Sequence, residues 1–227
     1  LPGDPPASGE SLLGRYFKEI LMRELTKKVE ILRWDDHRYY HQSRINQTLH
    51  LISAFSFLAA YGLLFIDPAA AGLMGWLVGM VTRQSGHLFF EPRGYDHVNG
   101  ASDEHKESIK VGYNMRRKAV LIGVWLSVPV VLGLSPGLFG LIEPGRGFEG
   151  FVHDVGLLWL ALGVCGVIFR TVHLYFLRGP AWSLAWAMKI LTDPFHNVAI
   201  YWKSPLALMR GELLDPIEPA HHPIAVE

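Results

Sequence analysis

The sequence predicts an all-α integral membrane protein: a four-helix bundle with an amphipathic interfacial helix before it and a short interfacial or re-entrant helix after it. Three observations predict this. Half of the 227 residues are hydrophobic and only 19% are charged, where a soluble domain carries about 25% charge. Four stretches are apolar over most of a bilayer's thickness, and Lys and Arg collect in alternate connections between them. The same composition excludes disorder, collagen and a solvated coiled coil. The 21 Lys and Arg balance 21 Asp and Glu, so there is no basic footprint for nucleic acid. Cys165 is the single cysteine, which rules out a disulfide framework and a cysteine zinc site.

Residues 1–11 are a Pro/Gly-rich lead-in, read as flexible. No signal peptide is expected, because the first long apolar run begins near residue 49. Between 12 and 33, Leu12, Leu13, Tyr16, Phe17, Ile20, Leu21, Leu25, Val29 and Leu32 recur at spacings of three and four, the helical period. Six Lys and Arg stand against three Glu in this stretch. That pattern suits a helix on an anionic membrane surface and equally a helix packed on the rest of the chain.

Four spans follow, at about 49–66, 68–90, 119–142 and 152–177. A bilayer crossing needs about 20 apolar residues. The first span has 18 uncharged positions and the third has 24, interrupted by Pro129 and Pro136. The second turns polar at Arg83, Gln84 and His87, and the fourth at Arg170 and His173. Residues 1–48 hold eight Lys and Arg, the 91–118 connection six, and the tail after 177 four. The turn at 67–68 has none and that at 143–151 only Arg146. Basic connections stay in the cytoplasm, so a multi-pass topology with both termini cytoplasmic is expected. Residues 182–192 are apolar but too short to cross. Residues 12–215 are read as one domain and 216–227, with Pro216, Pro219 and Pro223, as an irregular tail.

This orientation gathers histidines at one leaflet. His37, His41 and His50 flank the start of the first span, His87 and Glu91 end the second, and His173 and His196 lie at or beyond the end of the fourth. Ionisable groups at membrane depth are functional candidates, and imidazole is the commonest metal ligand near neutral pH. His87 and Glu91, four apart, share a helix face, as do His37 and His41. Two histidines and a carboxylate also make the facial set of non-haem Fe(II) oxygenases, which leaves coordination positions open. His41 and His50 are nine apart, about half a turn out of phase in a continuous helix. They can share one ion only if the chain breaks between them, and Asn46 is placed to make that break as a cap or to orient a ligand. The expected ligands are therefore His41, His50, His87 and Glu91, with His37, His173 and His196 as further candidates. His97, His105, His221 and His222 are read as interfacial residues and His153 as the anchor of a span end. Arg83 and Arg170 are read as partners of lipid headgroups or carboxylates. Trp182, Trp186, Tyr201 and Trp202 are read as an interfacial aromatic belt.

The segment Tyr40-His41-Gln42-Ser43-Arg44-Ile45-Asn46-Gln47-Thr48-Leu49-His50 has the form Y-H-x4-N-x3-H. Gly86-His87-Leu88-Phe89-Phe90-Glu91 has the form G-H-x2-F-E and follows Gly75-Trp76. Together they resemble the signature of the Mpo-like family, small membrane proteins related to the 2-hydroxy fatty acid dioxygenase of the eukaryotic endoplasmic reticulum. The resemblance covers about residues 37–93. It implies an Fe(II) cofactor and use of dioxygen to shorten a 2-hydroxy fatty acid by one carbon with release of carbon dioxide. It also implies that His41, His50, His87 and Glu91 are catalytic and that Asn46 occupies the motif position between the first two histidines. Arg83 or Arg93 would hold the substrate carboxylate. The chain departs from the pattern in its longer third and fourth spans, its extended tail, and His97 and His105.

Other readings fit parts of the pattern. A di-iron hydroxylase or desaturase would use His37-x3-His41, but no HxxHH cluster follows. A haem carrier would use His50 and His87 on adjacent spans. A non-catalytic subunit would use helix 12–33 and the tail for contacts, and a homo-oligomer or larger membrane assembly is compatible with any of these. Histidine and glutamate suit zinc as well as iron.

Overall fold

A computed structural model describes residues 12–91, 93–109 and 115–216, and among these the chain is helical, with isolated bridges but no strand. Helix α1 (Leu12–Tyr40) contains the expected amphipathic stretch. Its later turns bury Leu25, Val29 and Leu32 against Leu174, Ala185 and Trp186. Its earlier turns leave Tyr16, Ile20, Leu21 and Met22 exposed. One helix thus packs on the body at one end and presents apolar side chains outward at the other.

The chain leaves helical geometry after Tyr40 and re-enters it at α2 (Arg44–Leu63), capped by Ser43, whose Oγ accepts the Asn46 N–H at 3.4 Å. A sharp turn at Asp67 follows. Its carboxylate caps α3 (Pro68–Leu73) through the Ala70 N–H at 3.0 Å, and Pro68 sits where its missing N–H does no harm. Residues 68–89 then run as one rod with three local windings: α3, a π-helical stretch (Met74–Met80) and α4 (Val81–Phe89). π-Helix is rare and occurs frequently at functional sites, and here it shifts the register of everything after Met80. Gly75 and Gly79 let the rod close on Phe57 of α2.

Helix α5 (Asp103–Ile109) lies in the connection to α6 (Met115–Leu134), and α7 (Gly147–Arg178), α8 (Pro180–Tyr201) and α9 (Ser204–Met209) complete the order. Helix α3 crosses α7 so closely that a Cβ on Gly72 or Gly156 would strike the opposing backbone. A tryptophan cluster joins the π-helical stretch to α6 and α7. Trp76 Nε1 donates to the Trp159 carbonyl at 2.6 Å and Trp159 Nε1 to that of Trp125 at 3.0 Å, while the Trp76 and Trp125 rings stack 5.9 Å apart. Helix α8 packs on α1, α2 and α7.

Several expected boundaries move. Helix α6 stops at Leu134 rather than 142, because Pro136 disfavours helix at Ser135 and the chain turns through Leu138 and Phe139 at positive φ. Helix α8 is 22 residues long, twice the apolar run that suggested it. Lys189 falls within that run and Asp193 ends it, yet they pair at 2.8 Å on one buried face. Helix therefore continues past residue 192, through α8 to Tyr201 and again in α9. Among the described residues one helix, α7, is long and apolar enough to cross a membrane; α6 is apolar but shorter over its uninterrupted part. Residues 1–11 and 217–227, with His221 and His222, lie outside the described residues.

Candidate metal centre

The break between α1 and α2 creates the site. When α1 ends at Tyr40, the last carbonyls lose their helical partners. Two amides of the next helix take them up: Asn46 Nδ2 donates to the Tyr40 carbonyl at 2.7 Å and Gln47 Nε2 to that of His41 at 2.8 Å. The cap of α2 is Ser43 rather than Asn46, which acts one turn further in by holding the break. The turn brings the His41 ring to 4.1 Å from that of His50, centroid to centroid. His87, on α4, completes a triangle at 5.2 Å from His41 and 4.8 Å from His50.

Gly86 makes this approach possible. A Cβ there would collide with Asn46 Oδ1 and meet His50 Cδ2 at 3.5 Å. Gly86→Ala is therefore expected to destabilise the protein by about 1–3 kcal/mol and to lower metal affinity at least tenfold. Gly62→Ala, which meets nothing within 4 Å, should stabilise its helix by about 0.5–1 kcal/mol. Thermal unfolding and metal content of the two variants check this.

One ligand nitrogen from each of His41, His50 and His87 can be chosen so that all lie within 4.8 Å of one another. His41 is 3% exposed and His50 is 0% exposed. His41 Nε2 and both ring nitrogens of His50 are buried and have no hydrogen-bond partner. Buried polar atoms are almost always satisfied, and His41 Nε2 and one ring nitrogen of His50, each without a hydrogen-bond partner, fit a cation as the missing partner. Burial holds the pKa of His41 well below the usual histidine value, with further lowering from His87, Arg83 and Lys189. At neutral pH its ring is therefore neutral, the form that ligates metal.

Glu91 stands behind the triad. Its Oε2 lies 2.9 Å from His87 Nδ1 and 3.4 Å from Lys118 Nζ. An ionised carboxylate only accepts, so His87 Nδ1–H donates to it and Nε2 is left with its lone pair. This is the carboxylate–histidine arrangement that orients metal-ligating imidazoles. His37 is also outside the triad. Its Nδ1 lies 3.2 Å from the hydroxyl of Tyr201, whose ring stands edge-on to both His41 and His50. Tyr201 is 1% exposed, which corrects the belt assignment: this tyrosine is buried beside the triad, with its ring stacked on His37. Only its place at the end of α8 puts it there, and α8 was the helix least visible in sequence. Trp186 is buried in the core as well, whereas Trp202 is exposed.

His173 lies against Phe169, with Nδ1 2.9 Å from Arg170, and His196 is half-buried on α8; neither joins the triad. Arg93 is exposed, with a guanidinium nitrogen on the Leu88 carbonyl at 2.9 Å, whereas Arg83 points inward to Asp193 at 3.5 Å.

Two pieces of chain close the site. The 93–106 segment lies over the end of α1: Tyr40 donates to the Lys106 carbonyl at 2.6 Å, Gln42 to Asp96 at 3.1 Å and Asn99 to the Arg38 carbonyl at 3.2 Å. The segment after α9 straps the break from the other side. Arg44 N–H donates to the Leu213 carbonyl, Asp215 N–H to that of Gln42, and Asp215 carries Arg44 at 2.8 Å and Gln47 at 2.8 Å. Ser204 Oγ donates to Gln47 Oε1 at 2.6 Å.

No family model matches the chain, and neither the curated proteins nor the solved structures compared with it give a match.

Proposed function

We propose that this protein is a membrane-embedded Fe(II)-dependent dioxygenase that acts on a fatty acyl substrate and shortens 2-hydroxy fatty acids by one carbon. The observation that carries the reading is the convergence of His41, His50 and His87 from three separate stretches of chain, with buried ring nitrogens on His41 and His50 that have no hydrogen-bond partner. The resemblance of residues 40–50 and 86–91 to the Mpo-like signature supports the choice of iron and of substrate. The exposed apolar side chains on several helices support a membrane setting. They include Phe55 on α2, Val120 and Val130 on α6, and Ile168, Phe169 and Phe176 on α7. In this reading the bundle crosses the bilayer four times, both termini are cytoplasmic, and the triad lies near the cytoplasmic face.

His41, His50 and His87 would hold the ion, and coordination positions would remain for small molecules. When bound, Fe(II) supplies Lewis acidity toward a substrate hydroxyl and electrons for dioxygen. The chain does the rest. Glu91 takes the Nδ1 proton of His87 into a hydrogen bond and so fixes which nitrogen faces the site. Asn46 and Gln47 hold the break that aims His41. The 93–106 segment and the strap exclude water from the ligand side.

Three imidazoles backed by a carboxylate also form a zinc arrangement with an open position, and oxygen dependence separates the two. The His50 and His87 rings, edge to face at 4.8 Å, leave no slot between them for a porphyrin. Protein loaded with Fe(II) in detergent, given a 2-hydroxy fatty acid and air, should consume dioxygen and yield the one-carbon-shorter acid and carbon dioxide. Chelation should stop it. Product without dioxygen, or restored by zinc, would overturn the reading.

A further inference from the structure

A second cluster of ionisable side chains, between α1, α4 and α8, is unbalanced. Lys189 is 5% exposed and is held by Asp193 at 2.8 Å and by Asp36. Asp193 is 4% exposed and also meets Arg83 at 3.5 Å and Arg33 at 3.8 Å. Arg33 turns a terminal nitrogen to Thr192 Oγ1 at 2.7 Å, and its buried Nε, which makes the 3.8 Å contact with Asp193, has no hydrogen-bond partner. Among the described residues, three cations thus share two carboxylates. Arg83 is the least engaged: one of its five donors reaches Asp193, at the outer limit of a hydrogen bond. Lys189 and Asp193 are buried and the two arginines partly so, and surplus charge shielded from water is costly unless something compensates it.

The position of the cluster says what would compensate it. Arg83 is one turn before His87 on the same helix, and both Arg83 and Lys189 act electrostatically on His41. Ser53, one turn beyond His50, and Gln84, next to Arg83, each carry a buried side-chain oxygen with no partner. Unsatisfied polar atoms therefore continue from the triad along α2 and α4. Tyr61 and Phe195, with rings 6.4 Å apart, line the seam between α2 and α8 beyond the cluster, and Phe195 is exposed to the surroundings.

We propose that this cluster is an anion subsite beside the metal centre, in which Arg83 binds the carboxylate of an acyl-chain ligand whose tail follows the α2–α8 seam. It rests on the reading above only for the neighbour it serves; the charge excess is independent of any metal. One surplus positive charge matches a monoanion, and a guanidinium fork matches a carboxylate.

Calorimetric titration of the protein in detergent tests this, with iron bound and after chelation, against protein-free micelles. The probes are dodecanoate, dodecanol, dodecyl phosphate and acetate. Dodecanoate should bind at least about tenfold more tightly than dodecanol, the difference expected for a hydrogen-bonded charge, in both metal states. Arg83→Gln should remove that preference and Arg83→Lys retain part of it. Arg23→Gln, on the exposed part of α1, should leave it unchanged. Arg83→Gln leaves two cations with two carboxylates and is expected to fold. Asp36→Asn adds to the surplus and should tighten dodecanoate binding, a gain that misfolding cannot produce. Equal binding of dodecanol, a preference that survives Arg83→Gln, or acetate binding as tightly as dodecanoate would overturn the subsite. Tighter binding of dodecyl phosphate would overturn the carboxylate assignment. A preference that persists in protein unable to bind iron sustains the subsite while the metal reading fails; iron binding without a preference does the reverse.

Discussion

His50→Leu is expected to abolish stoichiometric metal binding and to leave the metal-free protein more stable than the wild type. The two effects have one cause. His50 is 0% exposed, and neither ring nitrogen has a hydrogen-bond partner. A buried donor or acceptor left unsatisfied costs about 1–3 kcal/mol, and an apolar group of similar shape removes that cost. A histidine kept for packing would behave in the opposite way, since its replacement would open a cavity or break a bond. Chemical unfolding of chelated protein, alongside metal analysis, reads both quantities. Lower stability in the metal-free variant would mean that His50 has a structural partner. Glu91→Gln should act more mildly, weakening metal affinity about 10–100-fold while leaving the triad in place.

The second large effect is expected at Asp193, far from any ligand nitrogen in sequence. Asp193→Ala removes the anion that Lys189, Arg83 and Arg33 share. Lys189 then keeps only Asp36, and Arg83 keeps no carboxylate. Breaking a buried pair from one side typically costs about 3–5 kcal/mol, because the remaining charge is stranded. Arg23→Ala is the comparison: its i,i+4 pair with Glu19 is exposed on α1, with side chains 79% and 61% accessible, and such pairs contribute about 0–1 kcal/mol. Denaturant midpoints of the two variants should differ accordingly, and equal midpoints would show that the cluster is solvated.

The site was more legible in sequence than the fold around it, for physical reasons. His41, Asn46, His50 and His87 stand out because polar residues in apolar surroundings are conspicuous, and the nine-residue spacing of His41 and His50 requires a break that the structure supplies. The finer roles were not legible. Ser43 and Asn46 are both good caps, and only the geometry shows that Ser43 caps while Asn46 holds the Tyr40 carbonyl. Glu91 lies one turn beyond His87 on either reading, ligand or buttress, and the 2.9 Å contact to Nδ1 puts it behind the ring. Tyr201 could not be assigned, because a tyrosine after a tryptophan-rich run has the composition of an interfacial belt whether or not its helix turns inward. Lys189 and Asp193 hid α8 for a related reason: a charge lowers local hydropathy equally whether water or an opposite charge surrounds it. The winding of residues 74–80 into a π-helix has no counterpart in apolar periodicity, since Met74 to Met80 carries no polar residue to mark a face.

The most direct test of the central claim is the metal content of protein purified in detergent without chelators and supplied with Fe(II) under reducing conditions, beside a variant with His41, His50 and His87 all replaced by alanine. One iron per chain in the first and none in the second is the expected result. No bound metal in the first, or the same occupancy in both, would contradict it.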